Sequence, residues 1–334
     1  MNNTHMASVG IDVSKDKLDV CLLKANDKTV FKTVSNDMKG FKQMLAWIEH
    51  AAPAFELHYA LEATGTYSNA VAQFLVQNEL KVSVVNPALT HSAATTYKLG
   101  NRTDHTMCFA IAKYCRHEKP ALWKMARPEI RKLDALVRRR EDLKITLVQE
   151  ENRLKAPDHD KEVTRSIQKS LSFLTKAMME LDKKIEDHIE NTPSLKADAA
   201  LLESIPGIGA LTASAILAKM PDVADFKEAS YYAAFAGLAP YEQSSGSSVY
   251  KQTHISRQGS RQMRSLMYWP AISATMHNSL VKSLYDRLRA KGRPKMVGIC
   301  AAMRKLLLLA FGVLKNRQKF DENWGVKSET LSEA

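Results

Sequence analysis

The sequence predicts a chain in three parts: an α/β domain with a mixed sheet, a helical region built on heptads, and a mainly helical domain with a concentrated positive charge. Three observations carry that prediction. Up to about residue 120, strand-like runs alternate with amphipathic helical runs. From 129 to 190, leucines recur at alternating spacings of three and four. Beyond 196 the apolar spacing stays helical, and from Gln243 to Phe320 acidic residues nearly disappear. The expected boundaries are 1–120, 121–195 and 196–334.

Each element follows from its residues. "ASVGIDVS" (7–14) reads as a buried strand ending in polar residues. "KLDVCLLK" and "KTVFKTV" are the next two strands, with "ANDK" as the hairpin turn between them. "NDMKGFKQMLAWIEH" is an amphipathic helix. "LHYALEATGTYS" is a strand running into a glycine-containing turn, "NAVAQFLVQNE" a helix, and "KVSVVNP" a strand ended by Pro87. An opening three-strand meander followed by strand–helix alternation predicts a mixed sheet. Leu133, Leu136, Arg140, Leu143, Leu147, Glu150 and Leu154 then form one heptad seam. Ile167, Leu171, Leu174, Met178, Leu181 and Ile185 form a second beyond Pro157. Two such helices fold back on each other or pair with another chain, and a structural role is favoured. "LLESIPGIGALTASAILAKM" is a helix, a turn at Pro206-Gly207-Ile208-Gly209, and a second helix.

Composition narrows the class. Of 334 residues, 25% are charged and 45% hydrophobic, a globular balance with length for two or three cores. No run of about eighteen apolar residues is evident, so no membrane span is expected, and the N-terminus lacks a secretory layout. The four cysteines have no CxxC spacing, which argues against a zinc site or a disulfide framework. A reduced, cytoplasmic protein is expected. Net charge is +12, yet Gln243–Phe320 alone carries fifteen Lys and Arg against one acid, Asp286, for +14. Such a segment is the usual footprint of phosphate binding.

Two constellations carry chemistry. Asp12 lies on the first strand, Glu62 at the end of a later strand, and Asp104 at the start of a helix capped by Thr103. In an RNase H-like fold those three places meet at one edge of the sheet. Carboxylates there suit magnesium, a hard cation that keeps positions open for phosphate oxygens, and a pair of such ions stabilises attacking and leaving oxygens. Alone, each is also a turn, cap or helix-start charge. The second constellation is "GLAPYEQSSGSSVYKQTHISRQGSRQMR", 237–264: a Ser/Gly loop followed by cations. A serine there, beside Arg257, Arg261 and Arg264, could attack a phosphodiester while the arginines stabilise the transition state. Tyr241 and Tyr250 are alternative nucleophiles, and a loop that merely binds phosphate is the plain alternative. The "IPGIG" turn likewise has two readings: a helix-hairpin-helix element gripping DNA backbone through Gly207 and Gly209, or an ordinary connection.

The chain resembles the DEDD-type transposases of the bridge-RNA-guided insertion sequences, which include related DNA invertases. "GIDVSKDKLDV" resembles that family's first acidic motif and "LEATGTYS" its second. "NRTDHTMCFAIA" is similar to the third, whose pattern is T-D-x-x-D-A. "IPGIGALTASAILAKM" and the Ser/Gly stretch resemble its C-terminal transposase domain. The resemblance implies a RuvC-like domain holding one or two Mg²⁺ ions through Asp12, Glu62 and Asp104. It also implies a catalytic serine at Ser245, with Ser244 as the near alternative, and a serine–phosphate link to DNA. Lys251, Arg257, Arg261 and Arg264 are the expected nucleic-acid contacts. Donor and target DNA, a structured guide RNA encoded beside the gene, and a dimeric or tetrameric assembly are the implied partners. Met107 stands where the family's fourth carboxylate belongs, and a thioether does not replace a carboxylate on Mg²⁺.

Other functions compete. A metal-dependent, junction-resolvase-like nuclease shares the carboxylates and leaves the serine inert. A catalytically weakened DNA- or RNA-binding relative, or an architectural DNA protein, accounts for Met107. An actin-like ATPase or sugar kinase is disfavoured, because its second phosphate loop needs a D-x-G that the chain lacks.

Overall fold

The structure is a computed structural model. It describes residues 7–53, 56–97, 103–156, 160–245, 249–256 and 259–323; the side chains of Thr66 and of 242–253 lie outside that description. The chain divides into two compact units, Met1–Met125 and Ala126–Ala334.

The first unit is a five-stranded mixed sheet with helices on both faces. Its elements are β1 (Ala7–Val13), β2 (Lys17–Leu23), β3 (Thr29–Ser35), α1 (Met38–Ala51), β4 (Leu57–Glu62), α2 (Thr66–Gln77), β5 (Lys81–Val85), α3 (Pro87–Thr96) and α4 (Asp104–Glu118). Strand order is β3-β2-β1-β4-β5. The expected meander pairs antiparallel, while β4 and β5 run parallel to β1. Period-two alternation sorts the strand residues between two layers. Val9, Ile11, Val13, Leu18 and Leu61 pack with Phe41, Met44 and Ile48 of α1 and Leu75 of α2. Cys21, Leu23, Ala60 and Val85 face the other way, onto Cys108, Ile111, Ala112 and Cys115 of α4. Ser8 on that face donates to the Ala112 carbonyl at 2.8 Å.

α3 was not foreseen. Pro87, read as a strand terminator, is the first residue of this helix. Its missing N–H is harmless there, and Asn86 caps the helix by accepting from the Ala88 N–H at 2.9 Å.

The second unit contains α5 (Pro128–Leu154), α6 (Lys161–Glu190), α7 (Pro193–Glu203), α8 (Ala210–Lys219), α9 (Ala229–Phe235), β6 (Pro240–Ser245), β7 (Val249–Ile255), α10 (Arg261–His277), α11 (Ser279–Ala290) and α12 (Lys295–Asn316). The two heptad helices, α5 and α6, pack on each other, joined by the Arg140–Asp182 ion pair. The 121–195 region does not stand apart from 196–334. Leu133, Val137, Ile185 and Ile189 belong to the same core as α7, α8, α10 and α12. Lys219 of α8, only 7% exposed, reaches Glu141 of α5 at 3.1 Å.

α12 is the helix that puts the expectation of no membrane span to the test. Its most apolar eighteen residues have a mean hydropathy of 2.0, enough by length and composition to cross a membrane. Here Leu306, Leu307, Ala310 and Val313 are wholly buried as the centre of the unit's core. The serine-rich stretch, expected as a loop, is an antiparallel two-stranded ribbon, β6 with β7.

Candidate active site

The carboxylates gather at one end of the sheet. Ile11 pairs with Leu61 across the parallel β1/β4 ladder, so Asp12 and Glu62 follow side by side. Both share the α4 face by strand alternation. Asp19 of β2 sits opposite Asp12. α4 reaches this face because residue 10 is glycine: a Cβ there would lie 2.1 Å from the Cys108 carbonyl oxygen and 2.3 Å from the Ala112 nitrogen. A Thr103–Thr106 capping box starts α4 and sets Asp104 in its first turn.

Electrostatics record the crowding. Burial, then the charges of Glu62, Asp104 and Asp19, push the Asp12 carboxyl up to about 6. Glu62, 9% exposed, accepts a 2.9 Å hydrogen bond from the Thr90 hydroxyl of α3. Lys17 at the β1–β2 turn is the local cation. Its ammonium lies 2.5 Å from Asp104 and 3.0 Å from Asp19. The bond from Lys17 holds Asp104 below the usual carboxylate range, and hydrogen bonds to Asp104 and Asp19 raise the lysine.

This donor set fits a hard divalent cation in chemistry. It is all oxygen, and Asp12 carries charge that its neighbours leave uncompensated. It is not a closed shell: among the described residues, no three His, Cys, Asp or Glu side chains are close enough together to hold an ion. Asp104 is turned to Lys17 instead. Met107 is no ligand. It is 9% exposed and packs with Ala94 of α3 and Ala110 of α4.

The second constellation lies in the other unit. β6 and β7 pair from Pro240↔Ile255 at the base to Ser245↔Val249 near the tip, with a register irregularity between Tyr241 and Gln243. Ser244 and Ser245 thus occupy the distal end of β6. Arg261 and Arg264 line a depression with Ile255 and Ser256 at the opposite end. Five residues of extended chain separate the two ends, about 17 Å along the strand. Side-chain geometry for Ser244, Ser245, Tyr250 and Lys251 lies outside the described residues, as does Arg257 entirely. Tyr241 is exposed and its ring meets His254 at 5.2 Å. In the "IPGIG" turn, Gly207 (φ +102°) lies where a Cβ would be 2.7 Å from Ala274 Cβ of α10, a packing requirement. Gly209 faces open space.

The comparisons with known proteins fall on both halves. A family model described as "Transposase" matches residues 9–157, and one described as "Transposase IS116/IS110/IS902 family" matches 199–286. The pilin gene-inverting protein of Moraxella bovis is 32% identical over 94% of this chain and 97% of its own length. The chain belongs to the IS110 transposase family. The Moraxella lacunata pilin gene-inverting protein matches equally, at 32% over the same shares. An uncharacterized 44.8 kDa protein of insertion element IS116 from Streptomyces clavuligerus is 23% identical over 93% of this chain and 95% of its own.

In this IS110-family transposase, reading for acids alone passed over three residues around the carboxylates. Lys17 and Asp19 share one face of β2 by alternation, a signal present in "KLD". Thr90 had no signal, because its helix was not foreseen. The basic segment is also thinner than its count. Lys282 pairs with Asp286, Arg317 with Asp198, and Arg304 and Lys315 donate to backbone carbonyls.

Proposed function

We propose that this chain is a DNA recombinase that cuts and rejoins strands through a serine–phosphate intermediate, with Mg²⁺ at the carboxylate end of the sheet and a structured RNA encoded beside its gene as guide. The observation that carries the reading is the gathering of Asp12, Glu62 and Asp104 on one face of a β3-β2-β1-β4-β5 sheet, within a chain of the transposase family. That order and the mixed pairing support an RNase H-like, RuvC-like arrangement for the first unit.

Asp12, Glu62 and Asp104 would hold one or two ions, and Asp104 would have to give up its bond from Lys17 to serve as a ligand. Bound there, Mg²⁺ supplies Lewis-acid stabilisation of phosphate oxygens. The Ser245 hydroxyl, or Ser244 beside it, attacks the phosphorus. A serine–phosphate ester forms, one strand P–O bond breaks, and the departing oxygen leaves as a hydroxyl with the proton the serine gives up. A second DNA hydroxyl reverses the step and joins new strands without external energy. The basic residues of the second unit hold phosphates, and a dimer or tetramer brings two DNA partners together. Two relatives of matching length are named gene-inverting proteins, so inversion is a product to assay beside insertion and excision.

The buried Met107 favours one other reading, a weakened relative that binds nucleic acid without cutting it. A covalent-adduct assay separates the two. The protein is expressed with the noncoding DNA flanking its gene and given Mg²⁺ and a nicked target that cannot be religated. Protein bonded to DNA in wild type, lost in Ser245→Ala and retained in Ser244→Ala, is the expected result. No adduct in any variant, with RNA bound, moves the chain to the binding-only reading.

A further inference from the structure

One face of α10 sets aromatic residues that no role above uses beside two arginines already expected to contact nucleic acid. Ser260 caps the helix, accepting from the Met263 N–H at 3.2 Å. Met263, Met267, Pro270, Ala271 and Ala274 turn inward. The other face carries Arg261, Arg264, Ser265, Tyr268 and Trp269, spaced three and four apart. Trp269 is 67% exposed, and Tyr268 braces it edge-on at 5.4 Å. These residues, with Ile255 and Ser256 at the ribbon's base, line an open depression of about 780 Å³. That volume falls in the usual range of small-ligand sites, roughly 300–1,000 Å³.

The lining contains two guanidinium groups and no acid. Among the described residues, no carboxylate lies within ion-pair distance of Arg261 or Arg264. Arg264 gives one N–H to the Gly259 carbonyl at 3.3 Å, leaving most of its five donors for other partners. An indole face left in water beside two arginines matches a nucleotide: a flat base for the ring, anionic phosphates for the guanidiniums. A duplex offers this pocket only its phosphates, because its base faces are stacked on each other.

We propose that Trp269 is a stacking platform for an unpaired nucleobase, with Arg261 and Arg264 holding the adjoining phosphates. The site would take single-stranded DNA or RNA at the foot of the β6/β7 ribbon. This rests on the reading of the chain as a nucleic-acid enzyme.

The test uses the full chain and a fluorescein-labelled oligonucleotide, single-stranded and as duplex, with 2-aminopurine as a second reporter of stacking. Wild type, Trp269→Leu, Trp269→Phe and Arg261→Gln are compared by anisotropy. Trp269→Leu is expected to weaken single-strand binding about ten- to a hundredfold, as loss of one base–aromatic stack does. It should abolish 2-aminopurine quenching and leave duplex affinity within about twofold. Trp269→Phe keeps most of the affinity, and Arg261→Gln weakens both substrates and reduces the salt slope. Equal losses on single strand and duplex in Trp269→Leu, or no loss, overturn the platform while leaving the enzyme reading intact. A change of oligomeric state in Trp269→Leu assigns the face to a second copy instead. Wild type that binds no nucleic acid overturns both readings.

Discussion

The carboxylate end of the first unit and the serine ribbon of the second are built on opposite principles. Asp12 and Glu62 end adjacent central strands, each with a helix layer on both sides, and α4 is pressed onto β1 at a glycine. Ser245 ends one strand of a two-stranded ribbon, and among its described side chains Ile255 at the base is the one that packs against the core of its unit. A packed core fixes a site before any ligand arrives, whereas an isolated two-stranded ribbon is marginal without a partner. The contrast teaches that the acids are placed by the fold, whereas the nucleophile proposed on the ribbon would be placed by what binds.

The largest effect expected from this contrast comes from Gly10→Ala. The new methyl would overlap the backbone of α4, and overpacking of this kind destabilises by about 3 kcal/mol at its upper end. In urea the first unit's transition should move down while that of the second stays. A single shared shift of both would show that the two units do not stabilise independently.

Next is Met107→Asp. It introduces a carboxylate where the resemblance implied one and sets it against Ala94 and Ala110. Without divalent cation the cost is about 2 kcal/mol, the scale of a buried, unpaired polar group. With Mg²⁺ the melting temperature should recover in part and adduct formation should rise. A variant indifferent to Mg²⁺ would show that position 107 does not reach the site.

A smaller effect follows from pH. His58 is buried beside Ser83, whose hydroxyl also faces the Pro120 and Ala121 carbonyls. Burial holds the imidazole below its ordinary 6.5, helped by the charge of Lys81. Because the folded value is depressed, the stability it contributes is complete above 6.5 and falls as pH drops from there through the folded value. His58→Gln should flatten that slope in the first unit alone; an unchanged slope would assign it to other groups.

The smallest change in stability is expected where the change in chemistry is greatest. Replacing 242–253 with two glycines should alter unfolding of the second unit by no more than about 0.5 kcal/mol and eliminate the covalent adduct. A large loss of stability would make the ribbon part of the core and erase the contrast.

The legibility of the chain follows the same divide. The sheet could be read because Val9, Ile11 and Val13 alternate with Ser8, Gly10 and Asp12, and because the β2–β3 turn uses Asp27 at φ 62°. The acids could be placed because each ends or begins an element with a strong pattern. α3 was hidden by Pro87, which ends a strand and opens a helix with the same ring. The ribbon was hidden by Gln and Ser, whose polarity reads as loop while Tyr241, Val249 and Ile255 carry the strand. Lys17 was invisible as a partner of Asp104 because 87 residues separate them. The heptads were legible, but their merger with the C-terminal core depends on Leu195 and Ile216, which carry no heptad signal.

α12 sets a timetable for the molecule. Everything the first unit needs has been synthesised by residue 125, so its sheet closes while the rest of the chain is still being made. The second unit lacks its central helix until residue 316. At about 5–20 residues per second, that wait lasts roughly 10–40 s. Once made, Leu202, Ile216 and Met267 have no Leu306 or Val313 to cover them until that wait ends. The acids are therefore in place well before the half of the protein that carries the serine ribbon, and a nascent chain cannot join DNA strands until its last long helix has been delivered.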